Sequence, residues 1–222
     1  MELFDYPKNA FFGRVLPKSK IYEKANPGSI VKEAFIRKVE KIVWAYKLAP
    51  ETVNIAGTEA VPEIEVFNIH LKDSEHGTDF LACIDKAIPL PIIFELFFEE
   101  KFKLVAAYKR ISEADSKKRV LSSYFATEWL PIKAERKPLP VLFNLEELYE
   151  RMISGLVSVE PLPEDDIESR ISRHELIQAK EKEIARLEAR LHKEKQFNRK
   201  VVINAEIRLL KNLIADLTRP QG

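Results

Sequence analysis

The chain has 222 residues, of which 45% are apolar and 32% charged, and its formal net charge is +1. This length is enough for one core with an appendage, and the balanced charge excludes a polyanion-binding surface spread over the whole chain. Cys83 is the only cysteine, which excludes an intramolecular disulfide and favours a reducing compartment. The N-terminus has no apolar signal segment, and no apolar run approaches the ~20 residues that a membrane span needs. We therefore expect a cytoplasmic protein without membrane contact.

The N-terminal part is predicted to contain one long helix. Residues 1–27 are punctuated by prolines and are expected to be irregular, although their aromatic side chains favour packing across the core surface. Ser29 is a candidate N-cap for the helix. Apolar residues follow at spacings of four, four, three and four, which predicts one buried helix face, and Pro50 comes just after its end. This face consists of Val31, Phe35, Val39, Ile42 and Tyr46.

The middle of the chain is predicted to form strands. Residues 52–55 suit a short strand, and residues 63–71 alternate except at Phe67, which indicates a bulge or burial on both sides. After a loop at 74–77, Thr78 is expected to cap a short helix that continues to Ala87. Residues 92–98 are continuously apolar, as in a central strand, and residues 102–111 are predicted to be its hairpin partner.

Residues 120–129 form the last predicted strand, and Asn144 is the expected cap of a helix at 145–157. The sequence PLPEDD at 161–166 is typical of a stiff acidic linker. We therefore predict an α+β fold with a small antiparallel or mixed sheet of four to five strands and packed helices. The predicted organisation is a globular domain at 1–160, the linker at 161–166 and a long C-terminal helical or coiled-coil arm at 167–219.

The arm contains two apolar seams at helical spacing, and these are the predicted partner-binding residues. The seams are offset in phase, and residues 192–196 between them carry no apolar side chain. A helical hairpin that zips the seams together and one continuous helix with a stutter both fit, and the lack of Gly, Pro or Asp at the midpoint favours continuity. We expect a protein partner or self-association through residues 167–217. The first seam is Ile177, Ile184, Leu187 and Leu191, and the second is Ile203, Ile207, Leu210 and Ile214.

The arm is also the basic part of the chain. Residues 168–219 carry 13 basic and 8 acidic side chains, whereas the rest of the chain carries 23 and 27. Six cations surround the midpoint of the arm against Glu188 and Glu194: Arg186, Arg190, Lys193, Lys195, Arg199 and Lys200. This cluster is a candidate site for nucleic-acid phosphates. A solvated helix face is the alternative interpretation.

Catalytic signals in the sequence are weak. No glycine-rich phosphate loop is present. His70, Glu75, His76 and Cys83 match no structural zinc spacing, so we expect neither a metal nor a cofactor. The order of predicted elements around Asn68–Lys72 resembles restriction-type nuclease cores, which need a carboxylate two residues before a lysine. Glu65, His70 and Lys72 are the corresponding candidates, although histidine is a poor ligand for magnesium.

A polar and aromatic group in the body is a further candidate binding surface. Its residues look exposed in the sequence, but core or rim packing is favoured for Trp129. The group consists of Lys109, Arg110, Tyr124, Glu128 and Trp129.

Five separated blocks resemble a bacterial family of unknown function, DUF4391. They are LPKSKIYE at 16–23, WAYKLAPETVNI at 44–55, IDKAIPLP at 84–91, AYKRI at 107–111 and KEKQFNRK at 193–200. The resemblance covers nearly the whole chain and implies an association with loci that encode DNA methyltransferases and helicases of restriction or phage-defence type. It transfers no catalytic residue.

These observations lead us to expect a non-enzymatic accessory subunit of a bacterial restriction or phage-defence system that docks its partner through the arm. Two alternatives stay open from the sequence. One is an active or degenerate metal-dependent restriction-type nuclease. The other is a homodimer formed through the arm that contacts DNA at the basic midpoint.

Overall fold

The computed structural model describes residues 2–74, 77–115, 118–163 and 165–218. The chain forms two units, Met1–Leu156 and Val157–Gly222. The predicted combination of helices, a mixed sheet and a helical C-terminal region is confirmed. Some predicted positions lie outside the described residues, namely Glu75 and His76 of the loop, Glu164 of the linker and Arg219 at the end of the arm.

The described part of the first unit contains nine strands of different lengths. β1 (Phe4–Asp5) pairs in parallel with β9 (Lys137–Pro138). The remaining seven form one sheet: β2 (Phe11–Val15), β3 (Val39–Leu48), β4 (Ile64–Leu71), β5 (Ile92–Phe98), β6 (Lys101–Ile111), β7 (Arg119–Ala126) and β8 (Leu130–Pro131). The first six are adjacent in chain order, and β8 pairs with β6. The prediction of four to five strands is too low, because β2 and β8 at the margins are too short or too exposed to show a pattern and β3 has a helix-like burial period.

The sheet is mixed because β4 and β5 run parallel while its other described pairs are antiparallel. A parallel pair needs a crossover connection, and a helix provides it here. The helices of this unit are α1 (Lys18–Ala25), α2 (Ser29–Lys38), α3 (Pro50–Val53), α4 (Asp79–Ala87) and α5 (Leu145–Ser154). α4 connects β4 to β5, and it confirms the helix predicted after Thr78.

Both faces of the central strands are covered. On one face, Ile21 of α1, Phe35 of α2 and Phe80 of α4 share a core cluster with Phe67 and Phe94 of the sheet. On the other face, Ile93 and Glu95 of β5 approach Tyr6 and Met152. β4 is therefore buried on both sides, which explains why Phe67 breaks the alternation expected for 63–71. The predicted hairpin of β5 and β6 is confirmed.

The predicted helix over Val31–Tyr46 is wrong in its second half. α2 ends at Lys38, and the chain continues directly as β3. Two irregularities in the β3–β4 register, at Val39/Lys41 and at Trp44/Tyr46, disturb the period of two. The buried positions of β3 consequently recur every third residue, at Val39, Ile42, Ala45 and Leu48, which imitates a helical period.

Two further local predictions are wrong. The strand predicted at residues 52–55 is absent, because α3 occupies Pro50–Val53, with Pro at its first position and the Thr52 hydroxyl accepting from the Ala49 amide at 2.9 Å. Residues 1–27 are not irregular throughout, because α1 lies within them and buries Ile21 and Ala25. The predicted helix after Asn144 is confirmed: its side chain accepts from the Glu147 amide at 2.9 Å.

The second unit contains two antiparallel helices, α6 (Ile167–Lys193) and α7 (Phe197–Thr218). Asp166 caps α6 by accepting from the Ser169 amide. The segment before α6 is tied to it, since Arg170 donates to the carbonyls of Val157 and Val159. No helix in the described ranges is long and apolar enough to cross a membrane.

The two seams of the arm face each other within this hairpin. Ile184, Ile203 and Ile207 form the buried centre, and the partly buried residues around it are Leu187, Leu191, Leu210 and Ile214. The hairpin interpretation is therefore confirmed and the continuous helix is wrong. Local propensity favours continuity, but burying both seams against each other removes more apolar surface from water. Glu194 supports the turn, because its carboxylate accepts from the Lys195 and Gln196 amides.

We expect Ile203→Ala to destabilise the hairpin by about 2–4 kcal/mol, because it opens a cavity between α6 and α7. Ile203 is 2% exposed. Leu209→Ala on the same helix is the matched control, since Leu209 is 69% exposed and its truncation is expected to change stability by less than about 0.5 kcal/mol. Urea unfolding followed by far-UV circular dichroism measures both. Equal effects of the two substitutions would contradict the packing described here.

Candidate functional site

The residues of the nuclease hypothesis do not converge. Glu65 and His70 are five positions apart on β4, and the β4–β5 register is regular between them, so their side chains leave opposite faces of the strand. Glu65 lies on the face of Trp44 and Phe67, whose rings stack at 5.7 Å. His70 lies on the other face and stacks on Phe97 at 5.3 Å. The geometry therefore does not join these two side chains in one site.

The side chain of Lys72 contacts the C-terminal end of α2. Its ammonium donates to the Ile36 carbonyl at 2.8 Å. Lys18 donates to the neighbouring carbonyls of Phe35 and Val39 at 2.9 and 2.6 Å. Lysines near a helix C-terminus satisfy its last carbonyls and complement the helix dipole. Together they satisfy three carbonyls at the C-terminal end of α2. Burial, with the nearby charge of Lys72, lowers the pKa of Lys18.

Glu65 is fully buried, although it carries a carboxyl group. Trp44 donates from Nε1 to Glu65 Oε2 at 2.5 Å, and Oε1 has no hydrogen-bond partner. Burial raises the pKa of Glu65 to about 8, and the neighbouring charge of Glu63 adds to this against the hydrogen bond from Trp44. Lys47 pairs with Glu63 at 2.6 Å. Glu65 is therefore mostly protonated at neutral pH, which makes it a hydrogen-bonding side chain of the interior.

A buried ion pair lies between α4 and the strands β6 and β7. Lys109 Nζ contacts Asp85 Oδ1 at 2.8 Å and donates to the carbonyls of Ile88 and Leu90 at 2.7 and 2.8 Å. Tyr124 donates its hydroxyl proton to Asp85 Oδ2. Burial raises the pKa of Asp85 and lowers the pKa of Lys109. Each charge has a partner, so this group stabilises the packing of α4 on the sheet and exposes no reactive atom.

The predicted exposed surface is therefore wrong for Lys109, and Tyr124 is only partly exposed. Lys109 is 3% exposed. Trp129 is partly buried and contacts Phe98, and Lys103 lies over its ring at 5.2 Å. Two features of the sequence indicate this buried pair. Lys109 is a charged residue after the apolar stretch of β6, and Asp85 lies inside the apolar helix α4.

On the opposite face of the sheet, Arg136 forms a bidentate pair with Glu95, with distances of 2.7 and 3.1 Å. Its guanidinium also lies 4.8 Å from the Phe102 ring centroid. The adjoining cavity, lined by Tyr6 and Met152, has a volume of about 10 Å³. This volume holds at most one water molecule, so the pair has no room for a substrate.

Potential metal ligands are dispersed over the described part of the chain. Within 2–74, 77–115, 118–163 and 165–218, no three His, Cys, Asp or Glu side chains are grouped so that they could hold a metal ion. Glu75 and His76 lie outside these ranges. Cys83 is buried, and burial raises the pKa of its thiol.

The basic residues of the arm gather at the turn of the hairpin, here called the hairpin tip (residues 186–200). Arg186 precedes the end of α6 by seven residues, which is about 10 Å of helix. Five of the six cations are exposed and Lys200 is partly buried. Phe197 at the start of α7 is 78% exposed. The hairpin therefore brings the two basic segments of the arm to one end, which a continuous helix would have spread along its length.

The predicted partner-binding residues lie mostly inside the hairpin. Ile184, Ile203 and Ile207 are buried between α6 and α7, and Ile177 is buried earlier on α6. Binding of a separate partner by the seams stays a prediction. The apolar residues that remain exposed on α7 include Val201, Val202, Leu209 and Leu213.

Comparison with known proteins identifies a matching family over most of the chain. A family model described as Domain of unknown function (DUF4391) matches residues 4–214. No curated protein and no solved structure matches the chain.

Proposed function

We propose a role for this chain, which belongs to the DUF4391 family. It is a non-enzymatic accessory protein that docks through its helical hairpin and contacts DNA with the hairpin tip. The expected setting is a bacterial restriction or phage-defence assembly, with DNA methyltransferase or helicase components as partners. The family match does not assign an activity, so the proposal rests on the geometry of the tip.

The charge at the hairpin tip is the observation that carries the proposal. Residues 186–200 carry six cations and only two acidic residues, Glu188 and Glu194. Glu188 is paired with Lys211 at 2.9 Å, and Glu194 accepts two backbone N–H bonds at the turn. Clustered cations at one exposed end bind phosphates by releasing condensed counterions. A solvated helix face is the alternative, and the salt dependence of DNA binding separates the two.

The body of the protein supports a non-enzymatic role. Glu65 and His70 leave opposite faces of β4, and Lys72 is engaged at the end of α2. In the ionic pairs Asp85–Lys109 and Glu95–Arg136, each charged group is already bound by the other member of its pair. We therefore do not propose a nuclease activity for these residues. The seams of the hairpin are occupied by each other, so arm-mediated homodimerisation has less support than docking of the tip.

DNA binding at the tip is tested with two matched pairs of substitutions. Arg190→Gln with Lys195→Gln removes two tip cations, and Lys182→Gln with Arg208→Gln removes two exposed cations of α6 and α7 outside the tip. Fluorescence anisotropy with a labelled duplex is measured over a range of salt concentrations. We expect the tip pair to lower the slope of log K against log salt by up to about 1.8, because each lost phosphate contact contributes about 0.9.

The control pair is expected to leave the slope unchanged. Equal slopes for both pairs, or no binding by the wild type at low salt, would show that DNA does not bind at the tip. Co-purification with the tagged native protein tests the accessory role separately. A partner that is retained equally by the wild type and the tip variant would show that protein docking does not depend on these two tip cations.

A further inference from the structure

An apolar groove lies on the first unit beside α1, and we call it the α1 groove. Its volume is about 240 Å³. Its apolar walls are Leu16, Ile21, Trp44, Ala87 and Ile88, and two lysines of α1, Lys20 and Lys24, complete the lining. A concave apolar site with a few polar groups at its edge is the usual form of a small-molecule site. Neither DNA contact at the hairpin tip nor docking through the arm uses this groove.

The walls of the groove are held in place from behind. The indole of Trp44 is fixed by its hydrogen bond to the buried Glu65 carboxyl at 2.5 Å. Its ring stacks on Phe67, and Phe12 packs at 4.5 Å. Ile21 and Ala87 belong to the core cluster of this unit. The groove is therefore formed before a ligand arrives, and binding does not require the walls to reorganise.

The charge at its edge selects the kind of ligand. Lys20 and Lys24 are four residues apart on α1, so they lie on the same side of the helix, and both are exposed. Lys20 is paired with Glu23 at 3.0 Å, but both side chains are more than 60% exposed, so the pair is weak. Lys18 of the same helix donates to carbonyls of α2 and β3 and does not line the groove. The groove thus presents apolar walls with two cations at one side.

We propose that the α1 groove binds a small anionic amphiphile, that is, a free carboxylate with an alkyl or aryl body of medium length. The body packs against Trp44 and Ile21, and the carboxylate contacts Lys20 and Lys24. The buried body provides affinity in proportion to its apolar area. The two ammonium groups repel a cation of the same shape and bind a neutral molecule more weakly, because only an anion forms ion pairs with them. This proposal is independent of DNA binding by the hairpin tip.

The test uses the fluorescence of Trp44. The chain has two tryptophans, so the Trp129→Phe variant of the full chain reports Trp44 alone, after circular dichroism has shown that it is folded. The probe is decanoate below its micelle concentration. We expect a saturable change of Trp44 emission, with decylammonium and decanol binding at least tenfold more weakly. Absence of saturation, or equal binding of decylammonium, would overturn the proposal.

Two variants in this background locate the site. Lys20→Glu with Lys24→Glu is expected to weaken decanoate binding at least tenfold, whereas Lys101→Glu with Lys133→Glu reverses two exposed charges elsewhere on the unit and is expected to leave it unchanged. Ala87→Leu places a larger side chain in the groove and is expected to abolish binding. If that variant does not fold, the charge reversal alone decides. Equal binding by both charge-reversed variants would refute the site.

A vesicle arm separates a free ligand from a lipid surface. Vesicles of phosphatidylglycerol are offered to the same variants in a flotation assay. Decanoate binding without vesicle binding supports the free ligand. Vesicle binding by the wild type without saturable decanoate binding would contradict it and assign the lysines to a membrane surface. Anisotropy with duplex DNA is expected to be unaffected by Lys20→Glu and Lys24→Glu, so failure here and failure at the hairpin tip are distinguishable.

Discussion

Replacing Lys109 by methionine is expected to lower the free energy of unfolding by about 3–5 kcal/mol, because it leaves the Asp85 carboxylate buried without its partner. Lys109 and Asp85 are almost fully buried, and their charged atoms lie 2.8 Å apart. The methionine keeps the length and apolar stem of the side chain. The loss therefore comes from the missing ammonium group and its hydrogen bonds.

The position of Lys109 makes this substitution more costly than the loss of one ion pair. Its ammonium also donates to the carbonyls of Ile88 and Leu90, which connect α4 to β5. These partly buried carbonyls lose a donor in the variant, and the cost of about 1–3 kcal/mol for a fully buried acceptor without a partner is the upper bound for each. Removing the carboxylate as well, in Asp85→Leu with Lys109→Met, is expected to recover only part of the stability. Full recovery would show that the carbonyl contacts contribute little.

Lys101→Met is the matched control for this experiment, because Lys101 lies on the same strand and is exposed. Its effect is expected to stay within about 0.5 kcal/mol. Urea unfolding followed by tryptophan fluorescence measures the wild type and all the variants. A loss below about 1 kcal/mol for Lys109→Met would contradict the buried pair, since mutations that break such pairs are strongly destabilising.

Substituting Glu65 by glutamine is expected to remove a large part of the pH dependence of stability. The pKa of Glu65 is raised from 4.5 to about 8 in the folded chain, chiefly by burial. Between these values the folded state binds one more proton than the unfolded state. Stability therefore falls as the pH rises through this window, and the contribution of Glu65 is complete below about pH 4.5 and lost above about pH 8.

The expected size follows from about 1.4 kcal/mol per pKa unit. We expect the wild type to lose about 2–4 kcal/mol more stability than Glu65→Gln between pH 5 and pH 9. The glutamine side chain still offers an oxygen to Trp44 Nε1, so the substitution removes the titrating group and keeps the hydrogen bond. The charged groups that face this carboxyl, Glu63 and Lys47, are the same in both proteins.

Glu59→Gln is the control, because Glu59 is exposed in the same region. The histidines with lowered pKa values, His70 and His174, contribute equally to wild type and variants, so the difference isolates Glu65. Urea midpoints at pH 5, 7 and 9 measure it. Parallel pH profiles for the wild type and Glu65→Gln would show that Glu65 is ionised in the folded state at neutral pH.

The candidate site shows what local sequence patterns leave undetermined. Glu65, His70 and Lys72 are close along the chain, but strand geometry separates the first two and the end of α2 engages the third. The buried partners Asp85 and Lys109 are 24 residues apart. Pairs at such separations leave no periodic signal, because they are created by the packing of α4 on the sheet.

The sequence by itself determined the elements whose signal is local. Asn144 caps α5 with its own side chain, the continuous apolar run of β5 is a central strand, and both arm seams are helical. These features depend on capping, apolar periodicity and composition, which act over one or two turns of chain.

Only the tertiary structure decided the boundary between α2 and β3, the turn of the hairpin and the pairing of the buried charges. β3 carries a helix-like period because its register with β4 is irregular. The arm folds back because its two seams bury each other, against the local preference for a continuous helix. In each case the free energy of long-range burial exceeded the local propensity. The hairpin tip consequently became a compact basic surface.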